Sequence, residues 1–522
     1  MVTVQTLLKN IEMNEKFSKA LDMMENSSKN AFITGKAGTG KSTLLNYFKQ
    51  TTRKKIAVLA PTGVAAVNIQ GQTIHSFFGF KPGITVGKVK KNIYIDMALY
   101  NALDAIVIDE ISMVRADLLD CVDKFLRLAR DTGSPFGGAQ MIFIGDLYQL
   151  PPIVPSKERE LFRSHYKSQY FFDSNAFGGL DMEFIELEKI YRQKDQKFIS
   201  ILNMVRNNSV TDKEISEINR KVNPHFEHGR SVFYITLTTT NDLADEVNEK
   251  ELSKINSKEF NYAGKIKGNF DRNSLPTDIN LKLKAGAQVM LLNNDPDGRW
   301  INGSVGKIIG IRKKDKKDVI FVELSNGQAV DVEPYTWKMY NLVYNKDTGN
   351  IDSEPTGSFT QYPVRLAWAV TIHKSQGKTF DNVIIDIGRG TFSHGQVYVA
   401  LSRCTNMEGI VLKKPIEKRH ILMDWRVVRF LTNYQYKISE KKLSVGDKIK
   451  IIENAIRNKT KLSIVYLRSN DEKSARTILP NSVGKMEYMG KQYIGVEGYC
   501  FSRKGGRVFR VDRILEIKET EK

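Results

Sequence analysis

The sequence predicts an α/β protein in which short buried strands alternate with helices around parallel sheets. A glycine-rich loop, GKAGTGKS at Gly35–Ser42, follows an apolar run and precedes a helical pattern. Short apolar runs ending at polar turns fill the first 150 residues, and a similar set recurs beyond residue 230. Because parallel sheets place ligands at the carboxyl ends of their strands, we expect the functional residues at these turns.

Length and charge narrow the class of protein. The 522 residues are enough for about three or four domains. A net charge of +20 predicts attraction to a polyanion such as nucleic acid, although a solvated, lysine-rich surface would give the same count. We expect no membrane span and no secretory signal, and the three distant cysteines favour a reducing compartment. The expected location is cytoplasmic, at the nucleoid if the protein is bacterial.

The predicted strands fall into two sets. The first set is Ala31–Thr34, Ile56–Ala60, Ala105–Ile108 and Met141–Ile144. The second set is Val232–Leu237, Val383–Ile387 and Ile410–Lys413, with helices beginning near Asp242 and Gln396.

Two regions do not follow this alternation of short buried strands and helices. Residues 291–355 alternate apolar and polar side chains around Asn326-Gly327, which predicts a hairpin within a small antiparallel insert. After residue 440 an amphipathic helix precedes several strands separated by turns. From Lys441 to Lys522, 19 Lys and Arg stand against 10 Asp and Glu, a net charge of +9.

The glycine-rich loop fits the pattern G-x-x-x-x-G-K-[ST], in which backbone N–H groups converge on phosphate oxygens. Lys41 is expected to reach the β- and γ-phosphates of ATP, and Ser42 to bind Mg²⁺. The residues assigned to nucleotide binding are Gly35, Gly38, Thr39, Gly40, Lys41, Ser42 and Thr43.

An acidic pair follows the apolar run AIVI. Asp109 at the end of this strand is expected to hold the metal, and Glu110 to take a proton from an attacking water. With the phosphate loop upstream, the pair favours hydrolysis over transfer to a second substrate.

Five further stretches resemble one family. LAPTGVAAVNIQGQTIHSFFGF (59–80), FIGDLYQLPPI (143–153), LEKIYRQKDQKFISILNMVR (187–206), LAWAVTIHKSQGKTFD (366–381) and VYVALSRCTNMEGI (397–410) occur in order. They resemble the motifs of superfamily 1B helicases, in particular the Pif-type DNA helicases, which are related to RecD. The resemblance covers roughly residues 14–430.

The resemblance implies two RecA-like P-loop NTPase domains with ATP between them. The implied divisions are domain 1A at 1–183 with a small 1B insertion near 76–102, domain 2A at 184–290 and 356–435, an SH3-like 2B insert at 291–355, and a C-terminal domain at 440–522.

It also implies roles for single residues. Arg192 and Arg403 match the arginine fingers that stabilise charge on the γ-phosphate, and Gln149 matches the residue that senses it. The implied DNA contacts are Thr62, Gly63, His75, Thr239, Asn241, His373 and Lys374. Asn241 fits a helix cap equally well. Phe77 and Phe78 are either stacking faces for bases or core residues.

Two features depart from the family or extend it. Where the family has an adenine-reading glutamine, this chain has Lys16 and Phe17, which leaves adenine selection open.

The C-terminal region resembles a WYL domain, a small SH3-like β-barrel, although its triplet is Val465-Tyr466-Leu467. Its basic face is expected at Arg476, Arg503, Arg510 and Arg513, and it binds either nucleic acid or another ligand.

The expected function is an ATP-dependent 5′→3′ DNA helicase acting in replication, repair or recombination. Expected partners are single-stranded DNA and single-strand/duplex junctions, and the expected state is a monomer. The alternative is a nucleic-acid-triggered ATPase switch, regulated through its WYL domain, that unwinds little.

Overall fold

The computed structural model describes residues 13–90, 97–227, 232–272, 275–314 and 317–520. The chain divides into two compact units. One contains the described residues up to Leu422 except Arg206–Ser209, and the other contains Arg206–Ser209 and the chain from Met423 onward. No helix in these ranges is long and apolar enough to cross a membrane.

The described α-helices of the first unit include one that ends at Arg206, a residue that belongs to the second unit. They are α1 (Glu15–Asn26), α2 (Lys41–Thr51), α3 (Gly63–Asn68), α4 (Ile74–Phe78), α5 (Met97–Ala102), α6 (Ala116–Ala129), α7 (Arg159–His165), α8 (Asn175–Gly178), α9 (Gln196–Arg206), α10 (Asp212–Asn219), α11 (Asn241–Ser253) and α12 (Gln396–Ser402). Short 3-10 turns lie at Val86–Lys88, Ile111–Met113, Pro135–Gly138, Ser156–Glu158, Phe171–Asp173 and Lys418–His420.

The first sheet contains strands β1 (Asn30–Gly35), β2 (Ile56–Ala60), β3 (Gln72–Thr73), β4 (Ala105–Ile108), β5 (Gln140–Ile144) and β6 (Met182–Leu187). Their spatial order is β3-β2-β4-β5-β1-β6, and all pairings are parallel. The predicted strands are confirmed to within a residue at each end. β3 and β6 were not predicted, because β3 has two residues and the apolar residues of β6 are interrupted by Glu183 and Glu186.

The strands of the second half of this unit are β7 (Ile235–Thr238), β8 (Glu259–Ala263), β9 (Lys265–Gly268), β10 (Asn280–Lys284), β11 (Gln288–Leu291), β12 (Val305–Lys314), β13 (Lys317–Leu324), β14 (Ala329–Val332), β15 (Tyr335–Tyr344), β16 (Ile351–Gln361), β17 (Val364–Leu366), β18 (Ala369–Thr371), β19 (Val383–Asp386) and β20 (Ile410–Leu412). A parallel sheet has the order β18-β7-β19-β20. The predicted strand from Val232 therefore begins three residues too early.

The antiparallel region is larger than the predicted insert at 291–355. β14-β13-β12-β11-β17 form one antiparallel sheet, β15-β16-β9 form another, and β10 pairs with β8. The hairpin at Asn326-Gly327 is confirmed between β13 and β14. The extra strands were missed because residues such as Glu259–Ala263 alternate exposed with half-buried side chains and carry no continuous apolar run.

The second unit has the helices α13 (Trp425–Lys442) and α14 (Val445–Asn458) and the strands β21 (Leu462–Leu467), β22 (Lys473–Tyr488), β23 (Lys491–Cys500), β24 (Gly505–Arg510) and β25 (Ile514–Glu519). The strand order is β24-β23-β22-β21-β25, and all pairings are antiparallel. Ile452 and Ala455 of α14 pack on Ile464, Ile478 and Val496 of the sheet.

The predicted boundary between residues 435 and 440 is wrong, because it falls inside α13. Within the second unit, Ser439 of this helix donates to the carbonyl oxygens of Ile514 and Leu515 at 3.1 and 2.9 Å. Gln435 donates to Asp471 Oδ1 at 2.8 Å. The end of α13 was not recognised in the sequence because its residues there are mostly polar and charged. The helix belongs structurally with the C-terminal sheet.

Candidate active site

The phosphate loop joins β1 to α2 with the geometry that its glycines require. Gly38 and Gly40 have φ angles of 80° and 85°, a region that L side chains rarely adopt. Lys41 Nζ donates to the carbonyl oxygens of Gly35 and Lys36 at 2.7 and 3.0 Å. Burial lowers the pKa of Lys41, while the charges of Asp146, Glu110 and Asp109 oppose that shift.

The predicted acidic pair lies at the carboxyl end of β4. Asp109 Oδ1 accepts from the backbone N–H of Glu110 at 2.9 Å. Burial raises the pKa of Asp109. Burial also raises the pKa of Glu110 to about 7, and the charge of Asp109 adds to this rise. A carboxyl with so high a pKa is suited to accept a proton.

Ser42 and Asp109 line one cavity of about 360 Å³ together with Glu110. A hydroxyl and a carboxylate are the hard oxygen donors that Mg²⁺ prefers. A divalent cation beside the buried Asp109 would also stabilise its charged form. The residues therefore fit the expected metal.

Both candidate arginine fingers are held by backbone carbonyls. Arg192 donates to Ser402 O at 3.2 Å. Arg403, 1% exposed, donates to Val399 O at 3.0 Å and to Lys378 O at 3.2 Å. Burial lowers the pKa of Arg403 to about 9, and the charge of Arg192 adds to that shift.

These groups meet around one cavity of about 570 Å³. Its lining residues include the phosphate loop from Ala37 to Thr43, together with Phe17, Glu110, Gln149, Tyr191, Arg192, Gly377, Thr379 and Arg403. The structure thus brings together residues from positions 17 to 403 of the chain. A cavity with a phosphate loop on one wall and two guanidinium groups on another can hold a nucleoside triphosphate.

Gln149 belongs to a buried polar cluster that sequence reasoning only partly found. Its amide donates to Asp146 Oδ2 at 3.3 Å. Tyr398 donates to the same oxygen at 3.3 Å and accepts from the backbone N–H of Ala37 at 2.9 Å. In the sequence, the hydroxyl of Tyr398 within the otherwise apolar helix α12 could have indicated its hydrogen bond to the phosphate loop.

Three candidate DNA contacts share the smaller cavity beside the acidic pair. Thr62, His373 and Lys374 line it. Gly63 is the first residue of α3, and the Thr62 side chain caps this helix by accepting from Ala65 N. His75 does not line this cavity. Burial together with the charge of Arg115 lowers the pKa of His75.

The remaining DNA candidates lie near α11. The cap of this helix is Thr240, which accepts from Leu243 N, so the idea that Asn241 caps it is wrong. Asn241 is exposed and shares a third cavity with Lys374. Thr239 is buried, and its side chain does not lie on the exposed surface.

Phe77 and Phe78 are core residues. Their exposed fractions are 5% and 1%. They pack in an aromatic cluster with Tyr100, Phe80 and Phe125. The interpretation as stacking faces for bases is therefore wrong for both, because in the short helix α4 their rings point into the domain core.

In the second unit the predicted basic residues differ in their surroundings. Arg510 forms a two-pronged ion pair with Asp512 at 2.7 and 3.1 Å. Arg476 and Arg513 are half-buried, and Arg503 is exposed. Of the four predicted basic-face residues, Arg503 is therefore the exposed one.

Comparison with known proteins agrees with this geometry. A family model for PIF1-like helicases matches residues 10–216, one for the C-terminal domain of UvrD-like helicases matches 366–406, and one for the WYL domain matches 447–519. The chain is 31% identical over 440 residues to the ATP-dependent DNA helicase Pif1 of Bdellovibrio bacteriovorus, covering 81% of this chain and 93% of that protein.

Solved structures give the same relationship. The Bacteroides Pif1 structure with ADP-AlF4 has a TM-score of 0.76 at 36% identity, covering 82% of this chain and 98% of that one. The Bacteroides Pif1 structure bound to single-stranded DNA has a TM-score of 0.61 at 36% identity and the same coverage. From these matches, the chain belongs to the PIF1-like helicase family and carries a WYL domain in its C-terminal unit.

Proposed function

We propose that this protein is an ATP-dependent DNA helicase that moves 5′→3′ along single-stranded DNA and unwinds duplex or structured DNA. The observation that carries this proposal is the cavity that Lys41, Glu110, Arg192 and Arg403 line together. Two comparisons support DNA as the nucleic acid along which the protein moves. The relative from Bdellovibrio bacteriovorus is named an ATP-dependent DNA helicase, and one Bacteroides Pif1 structure contains single-stranded DNA.

In the proposed reaction, Lys41 and the loop N–H groups bind the β- and γ-phosphates of ATP. Glu110 accepts the proton of the attacking water, and Arg192 and Arg403 neutralise charge that develops on the γ-phosphate. Ser42 and Asp109 would hold Mg²⁺, which supplies positive charge to the phosphates when bound. Gln149 reports the state of the γ-phosphate through its hydrogen bond to Asp146.

The proposed DNA track passes Thr62, His373 and Lys374, because these side chains line a cavity that also contains Glu110. Such an arrangement allows a bound phosphate of DNA to influence the catalytic carboxylate. Gly63, His75, Thr239 and Asn241 remain proposed contacts, with Thr239 limited to its backbone.

The finer architecture is also proposed. RecA-like domains 1A and 2A divide near residue 184, the small 1B insertion lies near 76–102 and includes residues 91–96 outside the described ranges, and the antiparallel region is an SH3-like 2B insert. The WYL domain forms an SH3-like barrel, which the 16-residue β22 with its bulge between Pro480 and Ser482 supports. We propose that it binds nucleic acid or another ligand, with Arg503 as the exposed contact, whereas Arg476 and Arg513 are half-buried and Arg510 is paired with Asp512.

We also propose that the protein acts as a monomer at single-strand/duplex junctions, in the cytoplasm or at the nucleoid.

The test of the proposed helicase activity and its 5′→3′ direction is strand separation of two substrates that share one duplex, one with a 5′ and one with a 3′ single-stranded tail. ATP-dependent unwinding of the 5′-tailed substrate alone is the expected result. Hydrolysis stimulated by DNA without unwinding of either substrate would favour the ATPase switch instead.

A further inference from the structure

A buried tyrosine of α12 forms hydrogen bonds with two other segments beside the nucleotide cavity. Tyr398 is 4% exposed, and its hydroxyl accepts from the backbone N–H of Ala37 in the phosphate loop at 2.9 Å. The same hydroxyl donates to Asp146 Oδ2 at 3.3 Å. One oxygen atom therefore connects α12 with the phosphate loop after β1 and with the turn after β5.

The carboxylate of Asp146 lies at the centre of this cluster and is fully buried. Its Oδ1 accepts from the backbone N–H of Tyr148 at 3.1 Å, and its Oδ2 accepts from the Gln149 amide at 3.3 Å in addition to the Tyr398 hydroxyl. A buried carboxylate needs such bonds to replace the water that it has lost. The Tyr398 hydroxyl thus stabilises the acceptor that fixes the Gln149 amide, and Gln149 lines the nucleotide cavity.

The beginning of α12 packs directly against the turn that carries Gln149. Gly395, which precedes the helix, has a φ of 76°. A Cβ added to Gly395 would lie 2.4 Å from Tyr148 O and 2.6 Å from Gln149 O, so a larger residue does not fit between helix and turn. The hydrogen bonds of Tyr398 therefore accompany a close contact between two backbone segments.

The same helix ends at Arg403, which also lines the nucleotide cavity. Arg403 Nε donates back to Val399 O at 3.0 Å, and a second guanidinium nitrogen donates to Ser402 Oγ at 3.0 Å. These bonds tie the guanidinium to α12. Because so short a helix moves as one piece, a displacement of α12 at Tyr398 also displaces the guanidinium of Arg403.

We propose that Tyr398 is a positioning residue for ATP hydrolysis, which sets both Gln149 and Arg403 relative to the phosphate loop. The inference rests on the proposed ATPase function and adds a residue to it. The Tyr398 hydroxyl bonds Ala37 and Asp146, so it acts through these groups rather than on the nucleotide. Groups held in place stabilise the charge that develops in the transition state more than they stabilise the bound substrate.

The test compares Tyr398→Phe, which keeps the ring and removes the hydroxyl, with the wild type at saturating single-stranded DNA. We expect kcat for ATP to fall at least about tenfold, while KM for ATP changes by less than about threefold. Affinity for ADP-aluminium fluoride, which mimics the γ-phosphate in the transition state, should fall far more than affinity for ADP. An unchanged kcat, or equal losses of affinity for both ligands, overturns the inference. If the wild type hydrolyses no ATP with DNA present, the proposed function fails instead.

Tyr100→Phe is the matched control for loss of a buried hydroxyl. Tyr100 is 2% exposed, and its hydroxyl donates to the carbonyl oxygen of Phe77 at 2.7 Å in the aromatic cluster. Thermal unfolding measures the stability lost in each variant. The difference between ADP and ADP-aluminium fluoride should appear in Tyr398→Phe alone, and the same difference in Tyr100→Phe would assign it to stability and contradict the proposal.

A double variant measures whether Tyr398 acts together with Gln149. Tyr398→Phe and Gln149→Ala disturb one hydrogen-bonded cluster, so the double variant should lose less kcat than the product of the two single losses. Losses that multiply in full would mean that the residues act independently, which contradicts the proposal. If Tyr398→Phe does not fold, Asp146→Asn disturbs the same cluster from its other side. It must then lose more affinity for ADP-aluminium fluoride than for ADP, and equal losses overturn the inference.

Discussion

Glu110 combines backbone strain with an unusual charge environment. Its φ of 49° places a non-glycine residue in the left-handed region, which costs on the order of 1 kcal/mol and is tolerated where surrounding structure enforces it. This turn presents the carboxyl to the cavity that also holds Lys41 and Arg403. The position is consistent with a base that must be aimed at a bound water.

Replacing Glu110 by Gln removes the proton acceptor but keeps shape and hydrogen-bonding capacity. We expect kcat for ATP to fall by about 10²–10⁴-fold, while nucleotide binding stays close to that of the wild type. Single-turnover hydrolysis and equilibrium binding of a fluorescent nucleotide measure the two effects. Glu160→Gln on the exposed surface of α7 is the control, and near-normal hydrolysis by Glu110→Gln would rule out the assigned role.

Lys378 is a buried cation that the proposed reaction does not use. Its Nζ donates to Asn302 Oδ1 at 3.0 Å and lies 3.3 Å from the sulfur of Met290. Burial lowers the pKa of Lys378 to about 7, and the charge of Arg365 adds to the shift. Since the unfolded chain keeps a pKa near 10.5, it binds more protons than the native state between pH 7 and 10.5.

Because of this difference, Lys378 lowers the free energy of unfolding. The loss is complete below about pH 7 and becomes smaller as the pH rises toward 10.5. Lys378→Met should therefore be more stable than the wild type at pH 7, by on the order of 1 kcal/mol, with a smaller advantage at pH 9.5. Denaturant unfolding at both pH values measures it. An advantage that grows with pH would contradict the assigned burial, and Lys313→Met on the exposed part of β12 is the control.

At the scale of elements, α13 decides where the chain can be divided. Within the second unit, Lys448 of α14 donates to Ser439 Oγ of α13 at 2.8 Å, and that hydroxyl also bonds the chain at Ile514. The helix is therefore tied to both neighbours in its own unit. A division inside it would separate half of a helix from these partners.

A chain that ends at Leu422 should fold and hydrolyse ATP, because it retains the compact first unit. A chain that ends at residue 438 keeps most of α13 without the C-terminal sheet, so it should aggregate through the exposed apolar side chains. Size-exclusion chromatography and ATPase assays compare the two. Aggregation of the shorter chain with a soluble longer one would contradict this boundary.

The basic C-terminal region should contribute to DNA affinity. The chain ending at Leu422 should bind single-stranded DNA more weakly than the full chain, with a shallower slope of log affinity against log salt, because fewer phosphates are neutralised. Titrations at several salt concentrations measure both values. Identical affinities and slopes would indicate that a ligand other than DNA occupies the WYL domain.

At the scale of the whole molecule, hydrolysis should depend on the track. Arg192 and Arg403 line the nucleotide cavity while donating to backbone carbonyls, and we expect bound DNA to bring their remaining N–H groups to the γ-phosphate. We expect a low ATPase rate alone and at least about tenfold stimulation by single-stranded DNA. Arg192→Ala should lose about 10³-fold of the stimulated rate, as removal of an arginine finger does in other NTPases.

The exposed Arg220, which pairs with Glu217, provides the control: Arg220→Ala should behave as the wild type. Equal rates with and without DNA would contradict coupling between the two cavities. A stimulated rate that survives Arg192→Ala would remove that residue from the reaction.

The sequence alone determined the phosphate loop, the acidic pair, the parallel strands and the family. These features are local: a turn needs its glycines, a buried strand needs a continuous apolar run, and Asp109-Glu110 follow such a run directly. The same reasoning could not find Tyr398 or Asn14, whose hydrogen bonds join residues 361 and 177 positions apart.

Only the tertiary structure decided which way ambiguous side chains point. Phe77 and Phe78 fill a core, Thr240 rather than Asn241 caps α11, and Arg510 is paired with Asp512. Each alternative is compatible with the local sequence, because the free energy that separates them comes from neighbours supplied by distant strands and helices. The nucleotide cavity belongs to the same class: Phe17 and Tyr191 line it together only once α1 and the segment after β6 meet beside the phosphate loop.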